Sequence, residues 1–444
     1  MKSEITKRLP GQPASQPQWG EFPAMTQRVA DYQERIRDGH FVVGSVPGRE
    51  AIQLWSNDYL SLSKHPAIVK AQVDSLRGGR NTLYMSAVFL NEKSLQAALE
   101  KQMAAYVGTE AAVLCQSGWC ANVGLIQALA DSKTPVYLDH FAHASLWEGA
   151  RVADAPVHAF RHNQTSHLES LIQHHGPGLI LVDAIYSSNG TICPLEEIAD
   201  LAQRTGSVLV VDESHSLGVY GPNGEGLVSL LDLTEKVHYR TFSLSKAFVT
   251  RAGMVAGPKR VMSYFPYEAR PAIFSSAVLP HDIAGLAETL KVIQEEDWRR
   301  QQLWYNARYL RRGLSEIGYD VDDSTSHVVS LRSGGERQTV ALRDTLEAHG
   351  VFGAVFCAPA TPKNHALVRL SVNAGLTEGD LDRVIAACRD IRDRRSISPW
   401  PKTLLKRNWQ GAVRADRAQA RVHSSLFEKA AKKLASMRGH GFGG

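Results

Sequence analysis

The first candidate for chemistry is a lysine. In Thr241-Phe242-Ser243-Leu244-Ser245-Lys246 it follows an expected strand and sits between hydroxyl residues and apolar neighbours. Most lysines are solvated. One held in an apolar pocket has a lowered pKa and forms Schiff bases with carbonyls, which is what anchoring an aldehyde requires. The second candidate is VLVVDESHSLGVYGPNGEGL, where Asp212 and His215 follow an apolar run that would bury a carboxylate at large cost. Such an acid either caps a turn or meets a buried cation. A pyridinium nitrogen is one such cation, and kept protonated it lets its ring accept electrons from a carbanion.

Three further places hold polar residues just after apolar runs. Ser117-Gly118-Trp119 follows AAVLCQ at the expected start of a helix, where free N–H groups suit a phosphate, although Ser-Gly alone is also a common turn. His140 and His143 follow VYLD, and a pair in that position can equally be a helix cap and a core histidine. Ser187-Ser188-Asn189-Gly190 follows LILVDAIY and by itself is a polar turn. Ser243 to Lys246 also match S-x-x-K, but neither SDN nor KTG occurs, which removes the serine β-lactamase reading. G-x-S-x-G, H-E-x-x-H and G-x-x-x-x-G-K-[ST] are absent as well.

The elements that must position these residues are legible in the hydropathy pattern. From about residue 111, short apolar runs alternate with amphipathic segments: AAVLC, then 119–130; VYLD, then 143–151; VHAF, then 165–174; LILVD, then 195–204; then SVLVVDE. LILVD and VLVVD are apolar at successive positions, as strands buried on both faces of a parallel sheet must be. The fold class is therefore α/β. Ligands in such sheets lie at the carboxyl ends of strands, where all five places fall. YRTFSL and MVAG add two strands, and 281–316 reads as one long helix. A smaller α+β domain follows, with strands SHVVSLRS and LVRLSV and helices near 337–349 and 377–393. Before the body, residues 9–23 form a Pro- and Gln-containing arm, and 24–38 a helix expected to pack onto it. The division is 1–45 arm and helix, 46–285 large domain, 286–395 small domain and 396–444 basic tail.

The 444 residues are 43% apolar and 21% charged, values of an ordinary globular protein. The net charge of +5 is uneven: residues 401–444 carry ten Lys and Arg against Asp416 and Glu428, so the body is about neutral. No nucleic-acid partner is expected. The start has no apolar signal-peptide core and no run is long enough to span a membrane, which predicts a cytoplasmic protein without stable membrane insertion. Five cysteines, odd in number and without CxxC, predict neither disulfides nor a metal site.

In order and spacing, SGW, DHFAHAS, DAIYSSNG, VDESHSLGVYGPNGEGL, SLSKAF and FSSAVLP resemble the α-oxoamine synthases. The resemblance covers about residues 45–393, with SNDYLSLSKHP near its start and VRLSVN near its end. NTLYMSAVFL, CQSGWCANVGL, HASLWEGAR and VFGAVFCAPAT are most similar to the branch that makes α-hydroxyketone quorum-sensing autoinducers. The resemblance implies the fold type I of pyridoxal 5'-phosphate (PLP) transferases: a mostly parallel central sheet with helices on both faces, plus the smaller domain. It implies PLP on Lys246, Asp212 at the ring nitrogen, His143 on the ring, and His215 and Ser187 at its phenolic oxygen. Gly118, Trp119 and Ser243, beside Ser117, would hold the phosphate. Ser275 and Ser276 would reach the phosphate of a neighbouring subunit, which implies a homodimer with shared active sites. Arg369 would pair with a substrate carboxylate, and Asn57 and Tyr59 would line the mouth.

The implied substrates are an acyl-CoA and an amino donor, S-adenosylmethionine or 2-aminobutyrate in the autoinducer branch. A primary-metabolism synthase, making 8-amino-7-oxononanoate or 2-amino-3-oxobutyrate, is the alternative; an aminotransferase or a PLP-sensing regulator fits less well. Three departures argue against glycine, alanine or serine as donor. The family's histidine is missing from SAVFLNEKSLQAALE, its glycines are replaced at Val249 and Ala252, and its histidine-threonine pair reads Leu376-Thr377.

Overall fold

In a computed structural model the described residues are 23–37, 39–78, 85–358, 360–362 and 364–394. The expected arm, the basic tail and the start of NTLYMSAVFL lie outside them. A seven-stranded sheet is built from β2 (Ala111–Cys115), β3 (Val136–Asp139), β4 (Val157–Phe160), β5 (Leu179–Asp183), β6 (Val208–Asp212), β7 (Tyr239–Ser243) and β8 (Gly253–Gly257), in the order β2-β8-β7-β6-β5-β3-β4. β3 to β7 pair parallel, and β8 is antiparallel to both neighbours. Parallel pairing needs crossovers, and the helices Ala144–Val152, Thr165–His175 and Leu195–Thr205 supply them. Every residue of β5 is buried, as its unbroken apolar run requires.

A second sheet has the order β1-β10-β11-β9, from Ile52–Leu54, Val351–Phe356, Ala366–Ser371 and Val328–Gly334. β1 pairs parallel with β10, so a segment read with the large domain completes the small sheet. β1 and β10 were not legible as strands: IQL is too short to show a period, and VFGAVF carries a glycine in its middle.

Two expectations fail. The single helix over 281–316 is two, Pro280–Glu295 and Trp298–Glu316. Polar contacts hold the break: Arg299 bonds Glu296 and the carbonyls of Leu60 and Ser61, His65 meets Glu296, and Arg300 bonds the carbonyls of Ile293 and Pro222. Helical periodicity ran through this point because Glu-Glu-Asp is no breaker by composition. The helix Pro23–Arg35 does not pack onto the body along its length: its described side chains are exposed, and Arg35 at its end meets Glu336 and the carbonyl of Ala358. Among the described residues no helix is long and apolar enough to cross a membrane.

Candidate active site

The register of the large sheet gathers the chemistry. Asp183 stands opposite Asp212 and Asp212 opposite Thr241, so β5 and β6 end at one level and β7 runs on past it to Ser243. β8 returns antiparallel and sets Gly253 beside Ser243. A Cβ on Gly253 would lie 2.1 Å from the Ser117 carbonyl oxygen, and one on Gly118 would lie 2.7 Å from Ser243 Cβ. Both glycines therefore permit a close backbone approach that brings the start of the helix Gly118–Leu129 against the end of β7. Ser117 caps this helix by accepting from the Cys120 N–H.

Lys246 follows β7 in a turn closed by the Val249 N–H on the Lys246 carbonyl, at 3.0 Å. Val249 takes φ 48°, a left-handed conformation that strains a β-branched residue, where the resemblance places a glycine. Burial lowers the Lys246 pKa to about 8; Asp212 and Asp183 pull it back up and Arg369 pushes it down. Gly118, Trp119, Asn122, His143, Asp183, Asp212, His215, Ser243 and Lys246 line one cavity of about 100 Å³, with Ile185 and Ser214. Trp119 is half exposed, its ring edge-on to His143 at 6.2 Å.

Asp212 accepts from Asn122 Nδ2 at 2.7 Å and from the Ser214 N–H at 2.9 Å. Asp183 accepts from the His143 N–H at 3.2 Å, and burial beside Asp212 holds its carboxyl well above the usual range. Burial, then Lys246, lowers the His143 pKa, while Asp212 opposes them. His215 is pushed well below its ordinary value by burial, with Lys246, Arg369, His327 and His143 adding to it.

The mouth is built by β11 and the loop after β1. Arg369 donates to the Ser187 carbonyl at 3.0 Å and to Asn57 Oδ1 at 2.9 Å, with its guanidinium 4.6 Å over the Phe356 ring. Its buried Nε has no hydrogen-bond partner among the described residues, which leaves a donor for a ligand. Tyr59 Oη donates to Asn57 Oδ1 at 3.0 Å and lies 2.6 Å from His215 Nδ1. Asn57, Arg369, Ser187, His215, Lys246 and His143 share a larger cavity of about 990 Å³, walled further in by Phe141, Trp147, Phe356 and Leu367. Tyr59, expected at the mouth, lines neither cavity and instead contacts Asn57 and His215, which do.

The aminotransferase class I and II model matches residues 49–387. The chain is 48% identical to the CAI-1 autoinducer synthase of Vibrio campbellii over 79% of this chain and 89% of that protein. This chain is an α-oxoamine synthase of the aminotransferase class I and II family. The 8-amino-7-oxononanoate synthase of Symbiobacterium thermophilum is 32% identical over 77% of this chain and 88% of its own. A solved structure of SPT with PLP superposes with a TM-score of 0.77 at 25% identity, covering 84% of this synthase and 98% of that chain.

The residues present in this α-oxoamine synthase fit a phosphorylated pyridine aldehyde. A helix N-terminus and the Ser243 hydroxyl, brought together by Gly118 and Gly253, make an anion cradle. Lys246 supplies an amine of lowered pKa and Asp212 a carboxylate in the same cavity. Ser275 and Ser276 line neither cavity: Ser275 donates to the Pro271 carbonyl and the Ser276 carbonyl accepts from Gln116. Sequence reasoning missed Asn122, Ser145, Asp183 and Ser214. Asp183 alone carried a usable signal, since it ends LILVD as Asp212 ends VLVVD.

Proposed function

We propose that this synthase joins a fatty acyl-CoA to S-adenosylmethionine or 2-aminobutyrate, making an α-aminoketone precursor of an α-hydroxyketone quorum-sensing autoinducer in the cytoplasm. The 48% identity to a CAI-1 autoinducer synthase over nine-tenths of that protein carries this reading. Val249 and Leu376-Thr377 support it, because they depart from the family pattern associated with small amino-acid donors.

Pyridoxal phosphate, when bound, supplies the electron sink that makes the donor's α-carbon acidic. Lys246 would hold it, with the helix N-terminus at Gly118 and Trp119 and the Ser243 hydroxyl on the phosphate. Asp212, fixed by Asn122 and Ser214, would keep the ring nitrogen protonated. His143 would cover the ring face, while His215 and Ser187 would address the phenolic oxygen. With a pKa of about 8, Lys246 can take the α-proton and return it near neutral pH. The free Nε edge of Arg369 would take the donor's carboxylate, and Phe141, Trp147, Phe356 and Leu367 would shield the acyl tail from water. Ser275 and Ser276 of a second copy would complete the phosphate site in a homodimer.

Purified enzyme incubated with an acyl-CoA chain-length panel and each donor should release free thiol. No release with any chain refutes the proposal. Faster turnover with alanine or glycine would instead place the enzyme with the 8-amino-7-oxononanoate synthases, to one of which it is 32% identical.

A further inference from the structure

We infer that Asn122 is a positioning residue that ties Asp212 and His143 into one hydrogen-bonded chain and fixes His143 as the Nε2–H tautomer. Asn122 is 1% exposed and stands on the helix Gly118–Leu129, between the ends of β6 and β7. Its Oδ1 accepts from the Thr241 hydroxyl at 2.5 Å. Its Nδ2 donates one hydrogen to Asp212 Oδ2 at 2.7 Å and the other to Ser145 Oγ at 2.8 Å. The reversed amide would set oxygen against the Asp212 carboxylate, two acceptors face to face, so the orientation is determined.

The rest follows by counting hydrogens. Ser145 Oγ already accepts from Asn122, so its single hydrogen is available to His143 Nδ1, 2.7 Å away. The backbone N–H of Ser145 meets the same Nδ1 at 3.3 Å, with His143 capping the helix Ala144–Val152. A nitrogen that receives two donors carries no proton, and the hydrogen of the neutral ring is therefore on Nε2. Burial and the Lys246 ammonium favour that neutral ring. His143 thus offers the cavity a donor and no lone pair, so it is no base toward a substrate, and proton abstraction is left to Lys246. The same amide gives Asp212 one of its two hydrogen-bond donors.

The inference rests on the reading above only in taking this cavity as the cofactor's. The test is nitrogen NMR of histidine-labelled holoenzyme, with the His143 signals assigned by their loss in His143→Gln. The wild type should show a bare, hydrogen-bonded Nδ1 and a protonated Nε2. Ser145→Ala, which breaks the link between Asn122 and His143 but leaves Asn122 on Asp212, should move the Nδ1 signal and weaken cofactor binding less than Asn122→Ala does. Asn122→Ala should move Nδ1 and also weaken cofactor binding about tenfold, the usual size of a lost hydrogen bond to a charged group. A proton on Nδ1 in the wild type overturns the inference. So does an Asn122→Ala enzyme that binds cofactor poorly while its His143 signals stay in place. The nitrogen signals are read without turnover, so they stand whichever donor the enzyme uses.

Discussion

Lys246 keeps a pKa near 8 only because burial outweighs two carboxylates. In the cofactor-free protein this has a definite sign. Between about pH 8 and 10.5 the folded lysine has lost its proton while the unfolded one retains it, so this group makes stability rise with pH across that window. Lys246→Met, which removes a buried charge, should therefore stabilise the cofactor-free protein most below pH 8. The advantage should shrink toward pH 10.5, and denaturant melts across that range measure it. At the mouth, Arg369→Lys cannot keep the Ser187 and Asn57 contacts and also grip a carboxylate. Donor KM should rise about tenfold or more, with the colour of the bound cofactor unchanged. The candidate reacting residues were legible because each follows an expected strand. Asn122 and Ser145 were not, since a buried amide inside a helix looks like any other until its partners are placed.

The strands set the site by register, and one buried ion pair locks β6 to β7. Arg240 on β7 pairs with Glu213, the residue after Asp212, and also bonds the carbonyls of Val107 and Glu225 and the Ser229 hydroxyl. Glu213 in turn accepts from the Ser216 hydroxyl and the Val228 N–H. Glu213→Gln leaves the Arg240 charge buried without its partner and should cost about 3 kcal/mol in a urea melt. The double variant Glu213→Gln/Arg240→Met should recover part of that loss; equal or greater destabilisation would show that the pair is not the lock. At this scale the sequence revealed β3, β5 and β6 most clearly, because burial on both faces forces continuous apolar runs. The helix break at Glu296 and the pairing of β1 with β10 depend on contacts more than 200 residues apart in the chain, and no local pattern carries them.

As a whole molecule the synthase leaves Phe274 80% exposed beside Ser275 and Ser276, an apolar side chain that a second copy would cover. If those serines serve the neighbouring site, the variant Ser275→Ala/Ser276→Ala and the variant Lys246→Ala should complement each other. Mixed subunits should then turn over at limiting cofactor, where neither variant does alone; no gain on mixing would return the serines to their own subunit. The outcomes that concern turnover and cofactor colour depend on the cofactor being joined to one amine. Borohydride reduction of the yellow holoenzyme, followed by digestion and mass spectrometry, locates that amine directly. The account predicts the pyridoxyl mass on the peptide containing Ser245-Lys246, and loss of the yellow band in Lys246→Ala; the label on a different lysine, with colour retained in Lys246→Ala, would contradict it.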